Sequence, residues 1–123
     1  MKVFLVDDSA FVLEKLTAMV SGIGGVEIAG QAMNEHDAIQ SIVKLKPDVA
    51  ILDIRLNGGG NGMEVLKRIK KEMPPPILIM LTNYPYPQYR EKCQALGANY
   101  FFDKVTEIEK FYDTVKQLLT DES

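Results

Sequence analysis

Five short apolar runs recur along the chain, separated by amphipathic stretches. "KVFLV" (Lys2 to Val6), "VEIAGQA" (Val26 to Ala32), "DVAILD" (Asp48 to Asp53), "ILIMLT" (Ile77 to Thr82) and "NYFFD" (Asn99 to Asp103) each have the length of a strand. The first, third and fourth are nearly continuous hydrophobic runs, the pattern of parallel strands covered on both faces by crossover helices. Between them, apolar residues recur at helical spacing. Phe11/Val12, Leu16, Met19/Val20 and Ile23 form one stripe, Ile39 and Ile42/Val43 a second, and Met63, Leu66 and Ile69 a third. Ile108, Phe111/Tyr112, Val115 and Leu118/Leu119 form the clearest, whereas Gln88 to Leu96 keeps step only at Tyr89, Cys93 and Leu96. Thr106 with Glu109, and Asn61 with Glu64, have the spacing of reciprocal helix caps. Gly97 suits the position just past a helix, and Pro74 to Pro76 stops one.

Strands alternating with helices predict an α/β domain over residues 1–123. Right-handed crossovers and the short first unit favour a flavodoxin-like (βα)5 three-layer sandwich, its parallel sheet ordered 2-1-3-4-5. The chain reverses direction between the first and third strands, and ligands bind outside the carboxyl ends of the strands at such a point. Asp7 and Asp8 end the first strand, Asp53 the third and Thr82 the fourth, and Lys104 follows the fifth. Four separate stretches therefore converge on one rim.

Three carboxylates at that rim repel one another and call for a cation. An all-oxygen set with room for water suits Mg²⁺. An ammonium and a hydroxyl beside such a metal make a site for a phosphoryl group, whose equatorial oxygens carry charge that must be neutralised. A carboxylate there becomes a nucleophile through an acyl phosphate, and Asp53, flanked on both sides, is the best placed.

Composition narrows the classes further. An apolar fraction of 46% and a charged fraction of 25% are those of an ordinary globular domain. The net charge of −3, with no basic stripe, gives no electrostatic case for direct nucleic-acid binding. A single cysteine, Cys93, excludes an internal disulfide. No apolar run approaches ~18 residues, so no membrane span is predicted and a cytoplasmic domain is expected.

"VDDS" (Val6 to Ser9), "AILDIRL" (Ala50 to Leu56), "MLTN" (Met80 to Asn83) and "LGANYFFDK" (Leu96 to Lys104) resemble the receiver domain of bacterial two-component response regulators. The resemblance runs from Lys2 to about Leu119. It implies that Asp53 accepts a phosphoryl group from the phosphohistidine of a sensor histidine kinase or a phosphotransfer protein. It implies Mg²⁺ held by Asp8 directly, by Asp7 through water, by Asp53 and by the Arg55 carbonyl. Lys104 and Thr82 would each bind a phosphoryl oxygen, and Phe101 would move into the space that Thr82 vacates. That shift would alter the face made by the fourth helix, fifth strand and fifth helix. The reader of that face would be a downstream protein or a fused output domain, with a phosphorylation-linked homodimer also in view. Beyond its own phosphorylation and dephosphorylation, no enzyme activity is implied.

The chain also departs from the family pattern. "LNGGGNG" (Leu56 to Gly62) lacks the usual proline, and its matching glycine falls one position late. The three glycines add reach, but no Gly-Lys-Ser/Thr follows to make a phosphate-cradling loop. Val105 replaces a proline that is often cis, so a trans Lys104–Val105 bond is expected. Phe101 replaces the commoner tyrosine and is expected to face inward even without phosphate, and Asn83 and Tyr84 follow Thr82. Blander readings stand beside each residue: Asp7 and Ser9 as a helix cap, Thr82 and Asn83 as turn residues, Lys104 as an exposed lysine. His36 reads as a surface residue, Cys93 as core, and the other aromatics mostly as packing. Two further classes share parts of this pattern. A phosphatase of the haloacid dehalogenase type needs an Asp-x-Asp motif, but Ser9 stands two after Asp7. An interaction module that keeps the fold without phosphorylation would more naturally lack Asp53 or Lys104.

Overall fold

Each apolar run becomes a strand and each amphipathic stretch a helix in the computed structural model, which describes residues 1–122, with side chains through Asp121. The strands are β1 (Lys2–Val6), β2 (Glu27–Ala32), β3 (Val49–Leu52), β4 (Ile77–Thr82) and β5 (Tyr100–Asp103). The helices are α1 (Ala10–Ser21), α2 (Glu35–Leu45), α3 (Gly62–Ile69), α4 (Pro87–Ala95) and α5 (Ile108–Glu122). All strand pairs are parallel, in the order β2-β1-β3-β4-β5.

Alternation along the strands divides the core in two. Phe4, Val6, Ala50, Leu52, Leu78 and Met80 face α2, α3 and α4, and pack on Ile42, Leu66, Ile69 and Cys93. Val3, Leu5, Ile51, Ile79, Leu81 and Phe102 face α1 and α5, and pack on Leu16, Val20, Phe111 and Val115. Fully burying side chains of this size stabilises by roughly 1.5–3 kcal/mol each, which makes the sheet a stiff platform for its rim. No helix among the described residues is long and apolar enough to cross a membrane.

Local chemistry corrects several expectations. In α1, Leu13 takes the inward position that the stripe assigned to Phe11, which is 63% exposed with the Lys15 ammonium 4.4 Å from its ring centroid. Both phases satisfy helical spacing. The Ser9 cap, whose Oγ accepts from the Val12 N–H at 3.2 Å, starts the helix at Ala10 and puts Leu13, Leu16 and Val20 against the sheet. The approach to α5 is organised by Asp103 and Glu107, not by Thr106 and Glu109. Asp103 Oδ1 accepts from the Val105 and Thr106 N–H groups, while Glu107 Oε1 accepts from the Asp103 N–H at 3.0 Å. The turn is thus wound before Thr106 is reached. Asn61 does cap α3, accepting from Met63 N–H, but its own N–H donates to Glu35 of α2 and not to Glu64. None of the five tyrosines is fully buried, but Tyr89 and Tyr112 pack half-buried against the two core layers and Tyr100 stacks on Phe102.

Other expectations hold. Gly97 follows α4 with a φ of 100°, Cys93 is buried and His36 exposed. The only cis bond among the described residues is Met73–Pro74, which leaves Lys104–Val105 trans.

Candidate functional site

Strand register carries the candidate residues together. Val6 lies opposite Leu52, Leu52 opposite Met80, and Thr82 opposite Asp103. The next residue of each ladder is therefore delivered to the same rim. Asp7 N–H continues the ladder to Ala32 O at 3.1 Å, Asp53 N–H to Val6 O at 3.0 Å, and Lys104 N–H to Thr82 O at 2.9 Å. Main-chain bonds, not loop flexibility, fix where these side chains begin.

Asp7 and Asp53 are held in the same way. Asp7 Oδ1 accepts from Ser9 N–H at 3.0 Å, and Asp53 Oδ1 from Ile54 N–H at 2.7 Å. Their second oxygens both face the Lys104 ammonium, at 2.5 Å for Asp7 and 3.1 Å for Asp53. Asp53 is 3% exposed and the Lys104 side chain 11%, so these pairs are little screened by solvent. Asp8 is exposed and makes no hydrogen bond or ion pair among the described residues. The three carboxylates nonetheless offer oxygens all within 4.8 Å of one another, a hard donor set suited to Mg²⁺.

The electrostatics follow from burial. Desolvation pushes the Asp53 carboxyl above its ordinary range, and the charge of Asp7 adds to it. Lys104 and the Thr82 hydroxyl oppose the rise without cancelling it. Burial works against the charge on Lys104, but the two carboxylates outweigh it and hold the ammonium above its ordinary pKa. The protein groups of the site are one cation shared by two buried anions, with a third carboxylate at its mouth.

Thr82 is fully buried and its Oγ1 accepts from Tyr84 N–H at 3.0 Å, so it serves the turn as well as facing the rim. Ser9 likewise is a true helix cap, and Asp7 orients it. Phe101 is not brought to the rim. It lies in the core layer on the α4 side, 7% exposed, with the Arg90 guanidinium 4.6 Å from its ring centroid. Arg55 is exposed, and its guanidinium stacks over the Tyr84 ring at 4.2 Å. That stack, and the reach of Arg90 from α4 to Phe101 and Glu107, were not foreseen from the sequence. Arg55 and Tyr84 each lie two residues beyond a rim residue on neighbouring strands, a spacing that could have suggested their contact.

Gly62 locks the loop beneath Asp53. A Cβ there would lie 1.7 Å from Asp53 O, and the Gly62 N–H donates to Ile54 O at 2.6 Å. Only glycine allows this approach of backbone to backbone.

A family model described as the response regulator receiver domain matches residues 3–116. The sensory transduction protein LytT of Bacillus anthracis is 32% identical over 117 residues, covering 95% of this chain and 46% of LytT. A protein-glutamate methylesterase/protein-glutamine glutaminase of Halalkalibacterium halodurans is 40% identical over 79 residues, 64% of this chain and 22% of that protein. The chain spans less than half the length of either relative. Among solved structures, the response regulator domain of Thermotoga maritima CheB superposes with a TM-score of 0.87 at 25% identity, over 98% of this chain and 96% of that one.

Proposed function

Because the chain belongs to the receiver domains of response regulators, we propose that Asp53 is its phosphoacceptor. The observation that carries this reading is the position of Asp53 at the carboxyl end of β3. One of its oxygens is fixed by Ile54 N–H and the other lies 3.1 Å from Lys104. In the reaction, Asp53 Oδ2 attacks phosphorus, the phosphorus–nitrogen bond of a phosphohistidine breaks, and an acyl phosphate forms. Lys104 is placed to follow the negative charge from the carboxylate to a phosphoryl oxygen. The Thr82 hydroxyl, released from Tyr84 N–H, can donate to another.

Asp7, Asp8 and Asp53, with the main-chain carbonyl of Arg55, would hold Mg²⁺. The ion would neutralise carboxylates and phosphoryl oxygens together. Asp7, shared with such an ion, would hold the Lys104 ammonium less tightly and leave it available to the phosphoryl group. The donor would be a histidine kinase or phosphotransfer protein in the cytoplasm. The reader would be a protein or fused domain that recognises the α4-β5-α5 face.

Intact-mass measurement after incubation with Mg²⁺ and a small phosphodonor tests the assignment. Wild type should gain one phosphoryl group and Asp53→Asn none. A Mg²⁺-dependent gain in Asp53→Asn would refute it.

A further inference from the structure

Two Asn-Gly pairs stand in one loop, Asn57–Gly58 and Asn61–Gly62, and the fold treats them differently. Asn-Gly is the pair most prone to cyclise, because glycine offers no side chain to shield its nitrogen from the preceding carboxamide. Asn57 is exposed, its side chain makes no hydrogen bond, and the Gly58 N–H has no acceptor. Nothing lies within 4 Å of the place a Gly58 Cβ would occupy. In the second pair, Asn61 Oδ1 accepts from Met63 N–H at 2.7 Å, and the Gly62 nitrogen is engaged with Ile54 O. The remaining asparagines are also restrained. Asn34 Oδ1 accepts from Asp37 N–H and Asn99 Oδ1 from Leu78 N–H, and the nitrogen after Asn83 donates to Thr82 Oγ1. Asn57 alone among the described residues has both reacting groups unengaged.

We propose that Asn57 is a deamidation site that couples the age of the protein to the Asp53 site. The Gly58 nitrogen attacks Asn57 Cγ, a carbon–nitrogen bond forms, and the side-chain nitrogen leaves as ammonia carrying the displaced proton. Water then opens the cyclic imide at either carbonyl, which yields aspartate or isoaspartate at position 57. Isoaspartate inserts a methylene into the main chain. It does so where Asn57 N–H is tied to Met33 O at 3.1 Å and Leu56 N–H to Gly60 O at 3.0 Å. It also adds a negative charge to a loop whose Asn61 N–H already rests on the Glu35 carboxylate. The inserted length is passed toward Gly62 and so to the backbone of Asp53. This coupling rests on the reading of Asp53 as phosphoacceptor; the chemistry at Asn57 does not.

Peptide mapping of the full chain, incubated folded and in urea in warm, mildly alkaline buffer, tests the site. In the folded protein, Asn57 should be lost on the order of tenfold or more faster than Asn61, since hydrogen bonds must break before Asn61 can react. In urea the two rates should converge. Equal loss in the folded protein, or an Asn57 that reacts only in urea, overturns the proposal. The deamidated form, separated from fresh protein by anion exchange and with its isoaspartyl share read from the peptide map, should then take up phosphoryl groups more slowly. Equal uptake overturns the coupling. Failure of the fresh protein to label counts against Asp53 as acceptor and leaves the Asn57 result standing.

Discussion

Lys104 sits closer to Asp7 than to Asp53: its Nζ is 2.5 Å from Asp7 Oδ2 and 3.1 Å from Asp53 Oδ2. The lysine is thus as much a structural counter-ion to Asp7 as a partner of Asp53. Removing it leaves two buried carboxylates facing each other, and breaking buried pairs in this way costs about 3–5 kcal/mol. Lys104→Met should therefore unfold well below wild type in metal-free buffer, and saturating Mg²⁺ should recover much of the loss. Thermal melts with and without Mg²⁺ measure both, and a metal-free Lys104→Met as stable as wild type would contradict the pairing.

Asp53 has the opposite effect on the metal-free fold. Burial raises its pKa, so its ionised form is less favourable in the folded chain than in the unfolded one. A group of this kind contributes stability at low pH and loses it as pH rises through its folded pKa. Asp53→Asn, which removes the charge and keeps the shape, should melt higher than wild type at neutral pH without metal. The gap should close as pH falls toward the ordinary carboxylate value of 3.8. With Mg²⁺ the order should reverse, because only wild type offers the full carboxylate set. A metal-free Asp53→Asn that melts below wild type at neutral pH would refute the sign.

Glycines in the loop after β3 should differ sharply in tolerance. Gly62→Ala forces a methyl group into Asp53 O, and overpacking of this kind costs about 1–3 kcal/mol and sometimes more. It should also blunt stabilisation by Mg²⁺, since relief of the clash displaces Asp53 itself. Gly58→Ala meets nothing within 4 Å and bears only the left-handed backbone cost at φ 75°, about 1–2 kcal/mol, so its response to Mg²⁺ should remain. Magnesium titrations followed by melting temperature distinguish the two. A normal metal response in Gly62→Ala would show that Asp53 does not depend on this contact.

The sheet and its rim were legible in the sequence because both depend on short-range patterns. Continuous apolar runs read as buried parallel strands, and each rim residue stands at or just past the end of one. What escaped reading depended on rotation and on long-range partners. Phe11 and Leu13 fit helical spacing equally well, and only the cap at Ser9 selects the phase. The Asp7–Lys104 pair joins residues 97 apart in the chain, and its preference over Asp53–Lys104 is a matter of tenths of an ångström. Glu35 reaching Asn61 replaces the local partner Glu64 that the cap spacing suggested, and Arg90 reaching Glu107 joins residues that no local pattern links. Charged side chains on neighbouring helices carry no periodic signature, so pairings of this kind stay hidden until the layers are assembled.

Arg90 ties Phe101 of β5 to α4. The Phe101 ring is buried against the core beneath α4, and the Arg90 guanidinium covers it at 4.6 Å. Arg90 also donates to Phe101 O at 3.3 Å and pairs with Glu107 at 3.5 Å. Glu107 in turn holds Asp103 N–H, so α4, β5 and the start of α5 are tied through one side chain. A phenyl ring needs no hydrogen-bond partner when buried, and Arg90 adds a cation–π attraction of roughly 0.5–2 kcal/mol to the inward state. A modification shifts a two-state element only by its differential interaction with the two states, and here the ring is already buried. An acyl-phosphate mimic such as beryllium fluoride should then change the ring environment little. Phe101→Tyr adds a hydroxyl that costs about 1–3 kcal/mol if buried without a partner, which should favour the outward state before phosphorylation and enlarge the response. Arg90→Met should loosen the ring without adding that hydroxyl, giving an intermediate response. NMR of the aromatic rings, with and without the mimic, ranks the three proteins. A wild-type ring that is solvent-facing without the mimic and buried with it would overturn this order.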